Sequence, residues 1–399
     1  MSARVLFAGN GWGLGDGGEE KIFFEGDEGR ARADGPEQLP EVLAALDAVA
    51  ACGDPHLLAA GFISYEAGVW IEGSTALVRG HDFLPFAEFF IFNTRSSSVS
   101  RRAPPPPADF SSFTLEERAS AERSLSSDEW ARGVGAIRDG IARGDVYQVN
   151  LSHRTRFAAR VDPFGLAREL HAKSPVPYAV TLAAEDWAVV SNSPELFLDV
   201  DLRARSAVTK PIKGTAPRGD SAESDAEAGR RLVASAKDRA ENVMITDLLR
   251  NDLGRVAVPG GVATTALAGL RTFAHLHHLE STVEARLAPG TRLSDVLRAT
   301  LPGGSITGAP KRAALGFIRR LEPVARGAYT GAAGYVRGDG RAVFNVAIRT
   351  AITGRDTVDY HAGGGIVWDS NAGAEWAETL TKSREMEAFL GARAEPARG

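Results

Sequence analysis

The sequence predicts an α+β protein whose sheets are antiparallel. Two observations carry that expectation. Strand-like stretches follow one another across glycine turns, as in "YTGAAGYVRGDGRAVFNVAIRTAITG" (329–354). Helical stretches then interrupt them irregularly, without the regular strand–helix repeat of a doubly wound parallel sheet.

From the N-terminus, "RVLFAG" and "KIFFEG" read as short strands separated by a glycine-rich turn. "LPEVLAALDAVAACG" has helical spacing with a glycine stop, and "LLAAGFISYEAG" reads as a strand. Residues 95–112, "RSSSVSRRAPPPPADFSS", form a linker whose proline run favours an extended chain. The linker sets an N-terminal lobe, 1–108, apart from a main body, 124–396. That body opens with the helix "SSDEWARGVGAIRDGIARGD", capped by Ser126, Ser127 or Asp128. "VYQVNLSHRTRF", "YAVTLAAED" and "WAVVSNSPELFLDV" read as strands, and 224–251, 293–300, 310–321 and 372–391 as helices.

The 399 residues are 44% hydrophobic and 24% charged, as expected of a globular protein. A net charge of −5 with mixed signs leaves no footprint for nucleic acid and no polybasic membrane patch. No apolar run reaches the roughly 18 residues of a membrane span, and the N-terminus lacks a secretory pattern. With Cys52 the single cysteine, no internal disulfide can form, and a cytoplasmic protein is expected.

Two glycine-rich stretches imitate nucleotide loops. "GLGDGG", Gly13–Gly18, is followed by a strand rather than a helix, so a hairpin turn is expected. "GGSITGAPK", Gly303–Lys311, has its lysine displaced; it is either a plain helix entry or an anion site using Ser305 and Thr307. The histidines show no metal-ligand spacing, and "HLHH" at 275–278 reads as packing.

Two helices carry acidic pairs three residues apart, Asp238 with Glu241 and Glu375 with Glu378, the second followed by Lys382. Like charges so spaced repel modestly, so either water or a cation must offset them. Mg²⁺ typically takes one or two carboxylates plus substrate oxygens. Apolar residues Val243, Met244, Ile245, Leu248 and Leu249 are expected to face a core.

"TKPIKGTAPRG", 209–219, sets Lys213 in what reads as a stiff basic loop. Either an anion sits there or the lysine does chemistry.

Taken together, "DVYQVNLSHR", "SNSPELFL", "PIKGTAPRG", "ENVMITDLLRNDLGRV", "HHLEST", "LPGGSITGAPK", "RGAYTGAAGY", "FNVAIRT" and "GGGIVWDSNAGAEWAE" resemble the chorismate-utilising enzymes over roughly 126–392. The resemblance implies an α/β sandwich of two large antiparallel sheets with helices outside. It implies chorismate as substrate and Mg²⁺ held by Glu241 and Glu378, with Asp238 and Glu375 behind them. Glu195 would be the general acid at the C4 hydroxyl. Tyr329 and Arg349 would hold the enolpyruvyl carboxylate. Gly363, Gly364 and Gly365 would present backbone N–H groups, and Gln148, Thr215, His278, Ser305, Thr307 and Lys382 would face substrate.

Gln148 stands where the water-adding branches carry a lysine, which leaves the ammonia-using branch. Within it, "PIKGT" resembles the aminodeoxychorismate synthases, whose lysine is a nucleophile, rather than the "PIAGT" of anthranilate synthases. Lys213 is then a nucleophile whose pKa Lys210, Arg218 and desolvation would lower. The resemblance implies 4-amino-4-deoxychorismate as product, in 4-aminobenzoate and folate synthesis. Ammonia would come from a separate glutamine amidotransferase subunit, because the sequence ends soon after the last motif. Alternatives are anthranilate or 2-amino-2-deoxyisochorismate as product, or a silent paralogue that only binds. Ala216 and Leu196 depart from the arginines frequent in the family at those positions.

Overall fold

Phe7 and Tyr335 meet edge to face with ring centroids 5.7 Å apart, and they belong to two different sheets. In this computed structural model the described residues are 3–14, 21–26, 28–100, 121–273 and 276–390. Two 10-stranded sheets form, antiparallel at every pairing. The first runs Gly308–Ala309, Gln148–Ala158, Thr357–Ile366, Thr350–Thr353, Ala188–Ser193, Tyr178–Ala183, Ala3–Ala8, Lys21–Gly26, Ser98–Ser100, with Ala121–Arg123 beside Gln148–Ala158. The second runs Ile212–Pro217, Leu276–Leu287, Ser206–Lys210, Leu196–Asp201, Arg341–Val346, Ala332–Arg337, Leu57–Ile63, Ala87–Asn93, Arg30–Ala33, with Ala257–Thr272 beside Leu276–Leu287.

The sheets face each other through an apolar layer. Val5, Phe7, Leu182 and Val189 come from the first, and Phe62, Phe92, Tyr335 and Val343 from the second. Each such side chain contributes about 1.5–3 kcal/mol when fully buried. The Tyr335 hydroxyl donates to the Trp12 carbonyl at 2.7 Å, so the polar end of this buried ring is satisfied. Helices Leu39–Ala51 and Leu293–Thr300 cover the outer face of the second sheet, burying Leu43, Leu46 and Leu297 with Phe89 and Val200. Pro163–Lys173 and Ala372–Phe389 cover the first, burying Leu166, Leu170 and Met386 with Phe157 and Val358. This is the expected two-sheet sandwich.

Residues before the linker add strands to both sheets: Ala3–Ala8 pairs with Tyr178–Ala183, and Leu57–Ile63 pairs with Ala332–Arg337. Most of the proline-rich linker and most of "GLGDGG" lie outside the described residues.

Local structure departs from the sequence expectation in four places. The helix expected over 224–251 is two, Ala222–Ala234 and Ala236–Gly254. Ser235 breaks it, turning extended and accepting from the Asp238 N–H at 3.3 Å as a new N-cap. On the second of these helices Ile245 and Leu249 are buried, but Val243 is 44% exposed and does not face the core. "LLAAGFISYEAG" is a strand only to Ile63; Ser64 then caps the helix Tyr65–Ile71. Finally, the stiff loop at 209–219 is mostly strand, interrupted at Pro211 and bulged between Lys213 and Thr215. A proline without an N–H is tolerated at such a break.

Candidate active site

A cavity of about 530 Å³ is lined by residues of both sheets. Its floor is the bulged strand Ile212–Pro217. Gly214 takes φ +76° there, and a Cβ on it would sit 2.8 Å from the Asp238 side chain. The bulge re-aims the chain between Lys213 and Thr215, so that both residues line the cavity.

Lys213 Nζ donates to the Ser305 carbonyl at 3.0 Å, and the Ser305 hydroxyl donates to Glu195 Oε1, also at 3.0 Å. Burial lowers the Lys213 pKa, Lys382 adds to this, and Glu195, Glu241 and Glu378 oppose it. Lys210 and Arg218, expected to help, are not among the main causes of this lowering, and Arg218 is held in a two-pronged pair with Asp225. Glu195 is 4% exposed, and burial pushes its carboxyl up to about 7 against the pull of Lys213 and the Ser305 hydroxyl. A neutral amine and a protonated acid are the forms that nucleophile and general acid require.

The acidic pairs do meet. Asn242 anchors Ala236–Gly254 by donating to the Leu279 carbonyl at 3.2 Å and accepting from Ser281, which turns Asp238 and Glu241 towards the cavity. Asn371 caps Ala372–Phe389, and Ser370 donates to Glu375 at 2.7 Å. Burial raises Glu241, and the charges of Asp238 and Glu375 raise it further against Lys213 and Lys237. Burial works against the charge of Glu378 as well, but Lys382, 2.7 Å away, holds it below the usual range. Among the described residues no group of three acidic, histidine or cysteine side chains is ready-made for a metal. Glu241 and Glu378 fit the sparser donor set of Mg²⁺, and the crowded like charges are what a divalent cation would relieve.

At another wall, Arg349 holds φ +51°, a conformation rare outside glycine, and no acidic side chain among the described residues pairs with it. Tyr329 lines the same wall. Opposite runs Gly363–Gly365, whose strand is paired on one side with Gln148–Ala158. On the other side pairing stops at Tyr360, so the glycine edge is free. Lys382 Nζ donates to the Gly363 carbonyl at 2.8 Å on that edge. In an antiparallel strand a residue's N–H and C=O share an edge, so the Gly363 N–H faces the pocket too. Burial keeps His278, also in the lining, neutral with a pKa of about 4.

Two expected substrate-facing residues do not line the cavity. Gln148 is fully buried, filling the space where a Gly365 side chain would be, with neither amide atom hydrogen-bonded. Thr307 is buried behind the turn Gly304–Ile306, accepting from the Tyr65 hydroxyl at 3.2 Å. The lysine of "GGSITGAPK" also turns away: Lys311 pairs with Asp252 at 3.0 Å. Sequence reasoning missed Asn150, Tyr360, His361 and Thr381 in the lining. Missed too was Arg326, fully buried, which braces the site by donating to the Ile306 and Asn150 carbonyls at 2.9 and 2.7 Å. Asn150 sat within a quoted motif, but nothing marked its side chain as the one facing the cavity.

The sandwich places the chain in a known structural class. It superimposes on anthranilate synthase component I from Streptococcus pneumoniae with a TM-score of 0.73 and 27% identity, covering 96% of this chain and 90% of that one. Residues 11–388 match the chorismate binding enzyme family, and the chain belongs to that family. It is 41% identical over 73% of its length to anthranilate synthase component 1 of Streptomyces coelicolor. It is 42% identical over 68% of its length to aminodeoxychorismate synthase component 1 of Klebsiella aerogenes. The chain spans 58% and 59% of the lengths of these two relatives.

Proposed function

We propose that this chain is the chorismate-converting component of an aminodeoxychorismate synthase, making 4-amino-4-deoxychorismate from chorismate and ammonia. Relatives named for this activity and for anthranilate synthesis match about equally well. One observation therefore carries the choice: Lys213 and Glu195 are held by the same serine in one cavity, with burial favouring the uncharged form of both.

In this reading Arg349 and Tyr329 take the enolpyruvyl carboxylate, the guanidinium by its two-pronged fork. The Lys213 amine forms a bond to ring C2, the ring double bonds shift, and the C4–O bond breaks. Glu195 protonates the departing hydroxyl, which leaves as water, and the new C2 ammonium releases a proton. Ammonia then bonds to C4, the double bonds shift back and the C2–N bond breaks; the new C4 ammonium gives up one proton and the departing Lys213 nitrogen takes one up, leaving as a neutral amine. Mg²⁺ bound by Glu241 and Glu378, with Asp238 and Glu375 behind, would supply positive charge for the ring carboxylate. Gly363 and Gly365, alternate residues on the pocket edge of their strand, offer N–H donors to substrate oxygens. The ammonia source is a separate glutamine amidotransferase subunit, and a cytoplasmic enzyme of 4-aminobenzoate and folate synthesis goes with this reading.

The test is a product assay with chorismate, Mg²⁺ and ammonium near pH 8, read by mass spectrometry with an aminodeoxychorismate lyase added or omitted. Appearance of 4-aminobenzoate only with the lyase supports the reading. Anthranilate formed without it would make Lys213 a binding residue and refute the assignment.

A further inference from the structure

His361 lies on the strand Thr357–Ile366 opposite Arg154, and its ring stacks on Tyr329 with centroids 5.1 Å apart and planes 14° from parallel. Both residues line the cavity, and His361 is only 3% exposed. The Tyr329 phenol makes no hydrogen bond to any described residue, so no polar partner sets the direction of its ring. The backbone fixes where the ring starts: the Tyr329 N–H donates to Arg326 at 3.2 Å, and Thr330 takes φ +60°. The stacked imidazole covers one face of the ring and limits its swing. We infer that His361 is a positioning residue, which holds the Tyr329 phenol beside Arg349 and so sets affinity for the substrate's carboxylate. The inference rests on the proposed function only for the identity of that substrate.

The surroundings suit the role. Asp359, two residues earlier on the same strand face, is already engaged by Arg156 through two contacts of 2.7 Å. Burial keeps the His361 ring neutral, with Arg154 and His81 adding to this against Asp359. Its Nε2 is buried without a hydrogen-bond partner, and the contact it makes with Tyr329 is through the flat face of the ring. A phenylalanine should therefore replace it.

The experiment compares His361→Ala, His361→Phe and, should the alanine variant fail to fold, His361→Asn. Chorismate turnover with ammonium is measured, and binding of chorismate and of benzoate is titrated by calorimetry. Expected for His361→Ala is a KM for chorismate raised roughly tenfold with kcat within about threefold, and for His361→Phe a KM within about threefold of the parent. In a Tyr329→Phe background, His361→Ala should add little further. An unchanged KM, a phenylalanine variant no better than alanine, or additive losses would overturn the inference. A parent chain that converts no chorismate but binds benzoate in a His361-dependent way would remove the proposed function and leave this inference standing.

Discussion

Lys213 and Glu195 are tied to the two ends of one serine, the first to the Ser305 carbonyl and the second to its hydroxyl, both at 3.0 Å. The proposed nucleophile and the proposed acid therefore share one mounting, the turn Gly304–Ile306. Ser305→Ala keeps the carbonyl and removes only the donor to Glu195. A hydroxyl donating to a carboxylate favours its charged form, so its loss should raise the Glu195 pKa further above about 7. The acid works protonated, so the alkaline limb of the kcat/KM profile should move up by about one pH unit or less. A limb that stays in place would show that Glu195 is not the titrating acid.

Lys213→Ala should cost at least about 10²-fold in 4-amino-4-deoxychorismate formation while chorismate still binds. Lys213→Arg should be no better, because a guanidinium is not deprotonated near neutral pH. Mass spectrometry of products together with calorimetric binding checks both. An active arginine variant would reduce Lys213 to an anion-binding role.

Glu195 also shapes stability. Its folded pKa of about 7 lies above the unfolded value of 4.5, so between these the folded chain holds a proton that the unfolded chain has lost. Its burial thus becomes progressively more destabilising as pH rises through that window, then levels off. Glu195→Gln removes the effect. Urea unfolding at roughly pH 5 and pH 8 should show the parent losing on the order of 1–3 kcal/mol more than the variant.

Removing metal with EDTA should abolish turnover, and Mg²⁺ should restore it. Glu375→Gln is expected to weaken Mg²⁺ about 10–100-fold as an outer partner, and Glu241→Gln to weaken it at least as much. Calorimetric Mg²⁺ titration reads this without turnover. Equal affinity in all variants would place the metal elsewhere.

Gly363→Ala would bring a Cβ within 2.5 Å of the Leu151 carbonyl, a backbone atom that cannot step aside without disturbing the ladder. We expect a loss of about 1–3 kcal/mol in urea unfolding together with lost substrate binding. Gly290→Ala is a poor control for shape, since φ +80° strains it, but nothing lies within 4 Å of its added methyl. Gly135→Ala, with a helical backbone and equally open space, should be neutral or mildly stabilising.

The sequence by itself determined the hairpins, most helix limits and the acidic pairs, and it marked the stretch around Lys213 as a candidate site, since these are written in local spacing and in residue chemistry. Ser126 as the N-cap of Ser127–Ala142 was among the residues expected there. Ser235 was different: a lone serine inside a helical pattern can be tolerated or can cap, and tertiary packing chose the cap. Only the fold decided which side chains share the cavity. Gln148 and Asn150 lie two apart on one strand, yet Gly365 closes over the first while the second stays open to the cavity. Ser305 lies in the turn Gly304–Ile306 and Thr307 directly after it, yet only the serine reaches Glu195. His361 carried no local signal, because its stacking partner Tyr329 comes from a turn just before the second-sheet strand Ala332–Arg337. Such pairings arise from long-range register between strands, and register is set by the packing of both sheets at once rather than by any short run of residues.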